Sequence, residues 1–345
     1  MKQLSTRVMT VFIMIMLLSG CSYSASVEES GQASDSQSIK ERSFVTAHIV
    51  PEGHVWHQSL LVLEEELQQA TDGKWELDFY PQGALGNQND MYQQLQVGSI
   101  DLSVLVGAEL NSHSEAFASW TMPFIMRDHE DAFRMAETSE AHQLFETLDD
   151  VEGRGYFFAG MRHVLAKDGP IEDIEDLHGQ SLRISPSPAI TDFWQESGSG
   201  PTPVPAADLY TSFQTGVVDA IDIDLDLMMN NAYNDIGTYF TPLNHMTWPG
   251  AVLLNEDLWK SFSREEKEIF NEALEQAIAH NKHAVIEMEQ NYMNDFEEQG
   301  GTISEIENLE PFYEVAEKIH DKYGARSKYI QNFIDKAKEI SEYDR

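Results

Sequence analysis

The sequence predicts an α/β protein of two lobes, and three observations carry the prediction. Short apolar segments alternate with amphipathic stretches over nearly the whole chain of 345 residues, as strands and helices do when helices cover partly parallel sheets. The alternation restarts after the segment Tyr156 to Ala159, which reads as the start of a second βα series. About 305 residues follow Lys40, beyond the size at which a single hydrophobic core stops growing.

Phe44 to Val50 reads as the first strand, and Trp56, Leu60, Leu63 and Leu67 recur at helical spacing until Gly73 closes the turn. Trp75, Leu77 and Phe79 then alternate as a strand. Asn87 to Val97 reads as a helix and Ile100 to Val106 as a strand, and Asp128 can cap a helix running through Leu148. After the strand at Tyr156 to Ala159 come a strand at Ser181 to Ser185, helices at Ala189 to Ser197 and Ala207 to Gly216, and a strand at Val218 to Ile223. No internal repeat is visible.

The run from Arg264 to Glu298 reads as one long helix. Ser263 with Glu266 forms a capping-box pattern, and Gly300-Gly301 ends the run. Between them Ile269, Leu274, Ile278, Val285, Met288, Tyr292 and Phe296 give an apolar stripe. At 1.5 Å per residue such a helix extends about 50 Å, more than one small lobe, so it bridges both. The alternative is two helices broken near His280-Asn281-Lys282.

Lys2 and Arg7 precede an apolar run from Val8 to Leu18, and Leu18-Ser19-Gly20-Cys21 follows. The run is too short to span a bilayer and reads as a signal peptide, residues 1–20. Cys21 is the single cysteine of the chain, which excludes an intramolecular disulfide. Its setting resembles the bacterial lipobox, in which the thiol is diacylated and becomes the mature N-terminus, and two or more acyl chains hold a protein stably at a membrane. Ser22 to about Lys40 is polar and nearly free of apolar residues, a composition that reads as a flexible tether. The formal charge of −37, from 22 basic and 59 acidic residues, opposes nucleic acid and anionic lipid as partners. It suggests a saline or alkaline habitat, where screening lowers self-repulsion.

Motifs for nucleophilic, nucleotide-dependent or redox chemistry are absent: there is no Gly-x-Ser-x-Gly, Gly-x-x-x-x-Gly-Lys, Gly-x-Gly-x-x-Gly or Cys-x-x-Cys. His54 and His57, three apart near a helix start, could face a zinc ion with His48 or His113, although no acidic ligand stands at a recognised spacing. Asp222, Asp224 and Asp226 alternate with apolar residues, so a strand continuing through them would place three carboxylates on one face, either wetted or ligating a cation. Arginine is scarce, and Arg162 and Arg183 each stand at the end of a predicted strand facing a loop. The guanidinium fork matches a carboxylate bidentately, in a ligand or in a surface salt bridge.

Several blocks taken together resemble the DctP-type substrate-binding proteins of TRAP transporters. They are Phe79-Tyr80-Pro81-Gln82-Gly83-Ala84-Leu85-Gly86, Leu95-Gln96-Val97-Gly98-Ser99-Ile100-Asp101 and Met122-Pro123-Phe124-Ile125-Met126-Arg127-Asp128. Leu177-His178-Gly179-Gln180-Ser181-Leu182-Arg183-Ile184 and Leu209-Tyr210-Thr211-Ser212-Phe213-Gln214-Thr215-Gly216-Val217-Val218-Asp219 continue the series in family order. The resemblance implies a clamshell: two α/β lobes that close on a small organic acid, with a long helix crossing both, and a separate ion-driven membrane transporter as partner. It implies no catalysis. It also implies that Arg183 pairs bidentately with the ligand carboxylate and that Arg162 adds a second contact.

Departures from the family pattern reshape the pocket. Ala220-Ile221-Asp222-Ile223-Asp224 stands where the family commonly has Gly-Gln-Glu-Asn-Pro, so Ile223 removes an amide donor. Val106-Gly107 is apolar where some members carry polar contacts, and Ala206 replaces a frequent aromatic. Trp248 is the best candidate for an aromatic wall among Trp56, Phe158, Trp194 and itself; His54 and Pro186, which follows Arg183 closely, complete the candidate ligand set. Asp222 would repel a bound carboxylate unless a hydroxyl, an ammonium or a cation intervened. Within the organic acids that the resemblance implies, C4-dicarboxylate, keto, hydroxy or sugar acids, Asp222 therefore points to a hydroxy-, keto- or amino-substituted acid or to one bridged by a calcium or sodium ion, with no other cofactor.

The expected arrangement is lobe I from residues 41–160 plus 249–288 and lobe II from 161–248 plus 289–345, in a tethered monomer. Two other classes compete: a lipoprotein sensor that reports its ligand to a membrane kinase, and a metal-binding or hydrolytic lipoprotein using the histidines.

Overall fold

The structure, a computed structural model, describes residues 39–341. The expected signal segment, Cys21 and the expected tether up to Ser38 lie outside the described residues. Among the described residues no helix is long and apolar enough to cross a membrane.

The chain opens as alternating strands and helices: β1 (Arg42–His48), α1 (Val55–Ala70), β2 (Trp75–Tyr80), α2 (Gln88–Gln96) and β3 (Leu102–Val106). α1 buries Trp56, Leu60, Leu63 and Leu67, the stripe read from their spacing. Asn87 and Asp90 cap α2 reciprocally. Next come α3 (Gly107–Leu110), α4 (His129–Ala136) and α5 (Ser139–Gln143). The single helix expected from Asp128 through Leu148 is broken. Asp128 caps α4 as expected, but Thr138 accepts from the Ala141 N–H and starts α5, since a hydroxyl offers the backbone a competing partner at that point.

The second series runs β4 (Val151–Met161), β5 (His163–Ala166), β6 (Ser181–Ile184), α6 (Pro188–Glu196), β7 (Gly200–Pro203), α7 (Ala206–Gln214), β8 (Ala220–Ile223), α8 (Leu225–Asn230) and β9 (Tyr239–Thr241). The chain then returns through β10 (Thr247–Asn255) and ends with α9 (Glu256–Ser261), α10 (Arg264–Glu298), β11 (Thr302–Ile303), α11 (Glu310–Gly324) and α12 (Lys328–Ile340).

Two sheets result, in the orders β2-β1-β3-β10-β4 and β11-β9-β5-β8-β6-β7. In the first, β1 pairs in parallel with β2 and β3, while β10 runs antiparallel between β3 and β4. In the second, β6, β7 and β8 are parallel, and β5 runs antiparallel to β8 and β9. The chain passes from the first sheet to the second between β4 and β5, at Arg162, and returns between β9 and β10. The Arg162 N–H donates to the Met246 carbonyl at 2.7 Å, which ties the two passages together.

α10 is one helix of 35 residues, with the reciprocal Ser263–Glu266 cap read from the sequence. It packs on α1, β4 and α4 and then on α8 and β11, so it reaches both sheets. Phe270, Leu274 and Val285 join the larger core with Trp56 and Leu63, whereas Phe296 joins a second core with Leu165, Phe213 and Ile221. No break occurs near His280-Asn281-Lys282. Asn281 is fully buried, and its amide accepts from Phe158 N–H at 2.7 Å and donates to the Phe158 carbonyl and to Ser59 Oγ at 3.1 Å. A polar residue inside the helix is thereby satisfied without breaking it.

Candidate functional site

β5, β8 and β6 are neighbours, and their order sets three charged side chains next to one another. Arg162 immediately precedes β5, whose His163 pairs with Ile223 of β8, and Arg183 of β6 pairs with Ile221. Arg183 and Asp222 stand near the C-terminal ends of the parallel strands β6 and β8, where open α/β sheets place their ligands. Both arginines are buried, Arg162 with 1% and Arg183 with 2% of its surface exposed. Both are screened from solvent in this arrangement.

Arg162 is held by the protein itself. Its Nε donates to Asp222 Oδ1 at 2.6 Å, its Nη1 to Asp224 Oδ2 at 2.9 Å and its Nη2 to the Asp222 carbonyl. Trp248 lies under the guanidinium, 4.1 Å from ring centre to Cζ. Asp222 also accepts from Trp194 Nε1 at 2.8 Å and stands 3.2 Å from His245 Nε2. Burial would raise the Asp222 carboxyl, but the Arg162 charge, with His245 and Trp194, outweighs it and holds the group well below the usual carboxylate range.

Arg183 differs. Its Nε and Nη2 donate to the Val204 carbonyl at 3.0 and 2.8 Å, and its Nη1 stands 3.5 Å from the Asp222 carbonyl. Among the described residues it forms no ion pair. Burial, reinforced by the like charge of Arg162, pulls its pKa down to about 10; the guanidinium nevertheless stays cationic at neutral pH. A buried cation bound only to carbonyl oxygens is a strong attractor for an anion.

Three carboxylates on one strand face is not what forms. β8 ends at Ile223, and Asp224 leaves the strand to cap α8 by accepting from Leu227 N–H. Asp222 and Asp224 close on the Arg162 guanidinium instead of framing a cation. Among the described residues no group of three or more His, Cys, Asp and Glu side chains is arranged to hold a metal ion. His57 Nδ1 meets His48 Nε2 at 3.0 Å, but His54 Nδ1 lies 3.4 Å from Asp226 and His113 stacks on Tyr92 at 3.8 Å, so only the first two of the four histidines form a pair.

The remaining sequence candidates scatter around the arginines. Ile223 projects to the face opposite Asp222 and packs in the second core. Trp56 and Phe158 lie in the larger core. Val106 ends β3 with its N–H on Gln88 Oε1, and Gly107 begins α3 against Pro249. Pro186 is half-buried between β6 and α6, and Ala206 is exposed at the start of α7. Behind the crossing, on the α10 side, a cavity of about 300 Å³ is lined by residues including His129, Met161, His163 and Glu289, without either arginine.

Sequence reading missed Glu109 and His245, and it grouped Asp226 with Asp222 and Asp224 where the structure sets it against Val55 and His54. Half-buried Glu109, in α3 after β3, has a carboxyl that burial pushes up and the Arg183 charge pulls down, so it faces that arginine's field from the first sheet. No local pattern marks such a residue. Its role arises from the meeting of elements far apart in the chain.

Comparison with known proteins bears on the family and the fold. The model of the family described as bacterial extracellular solute-binding protein, family 7, matches residues 46–327. A solute-binding protein of Roseobacter denitrificans is 25% identical over 279 residues, 80% of this chain and 85% of that protein. Among solved structures, a TRAP periplasmic solute-binding protein of Anaerococcus prevotii with bound D-glucuronate aligns with a TM-score of 0.83 at 22% identity, covering 88% of this chain and all of that one. A sugar acid binding protein of Advenella mimigardefordensis in complex with galactonate aligns at 0.82 and 20% identity, with 88% and 100% covered. At these identities the structural likeness is one of fold.

Proposed function

Because the chain belongs to family 7 of the bacterial extracellular solute-binding proteins, we propose that it captures a sugar acid or related small hydroxy carboxylate and delivers it to a TRAP membrane transporter. Cys21 carries the lipid that holds this receptor, a monomer without catalytic activity, at the outer side of the membrane. The ligand carboxylate docks on Arg183, and Arg162 with Asp222, Asp224 and Trp248 forms the floor beside it. The observation that carries the reading is the burial of Arg183 at the C-terminal end of β6 without an ion-pair partner among the described residues.

The balance of charge favours a hydroxylated monocarboxylate over a plain C4-dicarboxylate. Arg162 is already neutralised by two aspartates, and Glu109 of α3 lies within the field of Arg183. A second ligand carboxylate would find no free cation there, whereas hydroxyl groups could donate to the acidic wall. Sugar acids in the relatives from Anaerococcus prevotii and Advenella mimigardefordensis support the same class.

Thermal unfolding of the full chain carrying Cys21→Ser tests the reading against D-glucuronate, galactonate, succinate and 2-oxo acids, with and without calcium. A ligand at a hundred times its dissociation constant stabilises the fold by about 2.7 kcal/mol, which raises the midpoint by a few degrees. A response to sugar acids that ignores calcium is expected. Silence across all carboxylates would overturn the assignment.

A further inference from the structure

The N-terminus of α1 carries no acidic residue in its first turn, although the unpaired N–H groups there favour a negative partner. The partner comes from far along the chain. The Val55 N–H donates to Asp226 Oδ2 at 2.7 Å, and His54 Nδ1 stands 3.4 Å from the same oxygen. Asp226 lies on α8, directly after β8 of the second sheet, whereas α1 packs against β2 and β4 of the first.

Asp226 is in turn fixed. Asn230 Nδ2 donates to its Oδ1 at 2.5 Å and stands 3.3 Å from Tyr292 Oη on α10. Gly53 meets the same cluster: a Cβ there would lie 2.4 Å from Asn230 Oδ1, so only glycine lets the α1 start approach this closely. His54 and Asp226 are each 1% exposed, and a buried carboxylate persists only when its lone pairs are used. The contact exists in the arrangement that also shuts both arginines from solvent.

We infer that Asp226 is a positioning residue of the receptor: by capping α1 across the two sheets it holds the lobes in the closed, ligand-competent arrangement without touching the ligand. Its Oδ2 accepts from Val55 and its Oδ1 from Asn230, which leaves affinity to be raised through the population of the closed form. The inference deepens the receptor reading and rests on it only for the affinity measurement below.

Two variants remove the two ends of the bond. Asp226→Ala deletes the acceptor. Val55→Pro deletes the donor at the first helical position, where proline is favoured, and His54 already has the extended backbone (φ −70°, ψ 144°) that a following proline demands. Val55→Pro should therefore keep the start of α1 intact, so that a fall in its melting midpoint reports the lost bond and not an unwound helix.

Spin labels on Gln68→Cys and Gln214→Cys, both at exposed positions, report the distance between α1 and α7 in the full chain carrying Cys21→Ser. Both variants should lengthen the ligand-free distance distribution. With D-glucuronate as probe they should dissociate about tenfold faster than the parent, the scale of one charge-assisted hydrogen bond. Unchanged ligand-free distances together with an unchanged D-glucuronate off-rate would overturn the inference. If the parent binds no acid at all yet the variants lengthen the distance, the sugar acid reading falls and this one stands.

Discussion

Arg162 Nε and Asp222 Oδ1 meet at 2.6 Å with each side chain 1% exposed. With Asp224 on its Nη1 and Trp248 beneath it, Arg162 is saturated by the protein. The two arginines of the site therefore divide their duties. Arg162 ties the passage between the sheets, whereas Arg183 stays without an ion pair among the described residues, as its proposed anchor role requires.

Replacing Arg183 by Ala should weaken acid binding by about 2–5 kcal/mol, because a buried charged partner is lost. Arg183→Lys should recover only part of that, since an ammonium cannot reproduce the fork that Val204 holds in place. Titration calorimetry with D-glucuronate measures both, and full affinity in the alanine variant would remove the anchor role.

Asp222→Ala should act on stability before it acts on binding. It leaves Arg162 with a buried, half-compensated charge, a change that costs about 3–5 kcal/mol where buried pairs have been broken. Urea denaturation of the ligand-free protein reads this out. An unmoved midpoint would mean that the pair contributes little to holding the fold.

Stability should fall on mild acidification. Burial lowers the His163 imidazole to about 4 and, with the neighbouring His57, the His48 imidazole to about 3. Both groups take up protons more readily when the chain is unfolded, from the ordinary value of 6.5 downward. The unfolded state thus binds more protons below pH 6.5, so stability is full above that value and declines as pH drops toward 4, by at most about 1.4 kcal/mol per pH unit for each histidine. Thermal midpoints at pH 7.5, 5.5 and 4.5 check the trend, and His163→Asn should flatten it.

Glu109→Gln should change which acids bind. Removing the carboxylate that faces Arg183 from α3 lowers the repulsion felt by a second ligand carboxylate. The ratio of succinate to D-glucuronate dissociation constants should fall by about tenfold, the effect of relieving one like-charge contact. An unchanged ratio would place Glu109 outside the ligand's reach.

Much of this was legible in the sequence where the signal is local. Ser263, Glu266 and Gly300-Gly301 delimit α10 because caps act within one turn, and the stripe Trp56, Leu60, Leu63 and Leu67 marks the buried side of α1. Arg162 and Arg183 stood out because arginine is rare in so acidic a chain. What misled was also local: the alternation of Asp222, Asp224 and Asp226 suggests one strand face, but the backbone turns at Asp224 to start α8. Asp226 finds its partner 171 positions away, and no periodicity encodes such a meeting.

The amide of Asn281 has a consequence for how the border of the first sheet is finished. β4 is an edge strand of its sheet, and a bare edge invites pairing with another chain. By taking both the N–H and the carbonyl of Phe158, a single side chain stands in for the missing neighbour strand. Asn281 and Phe158 are both buried beneath α10, so the border is sealed inside the molecule, and Asn281→Leu should show itself first as lost stability in urea denaturation, from two orphaned backbone groups, ahead of any change in ligand affinity.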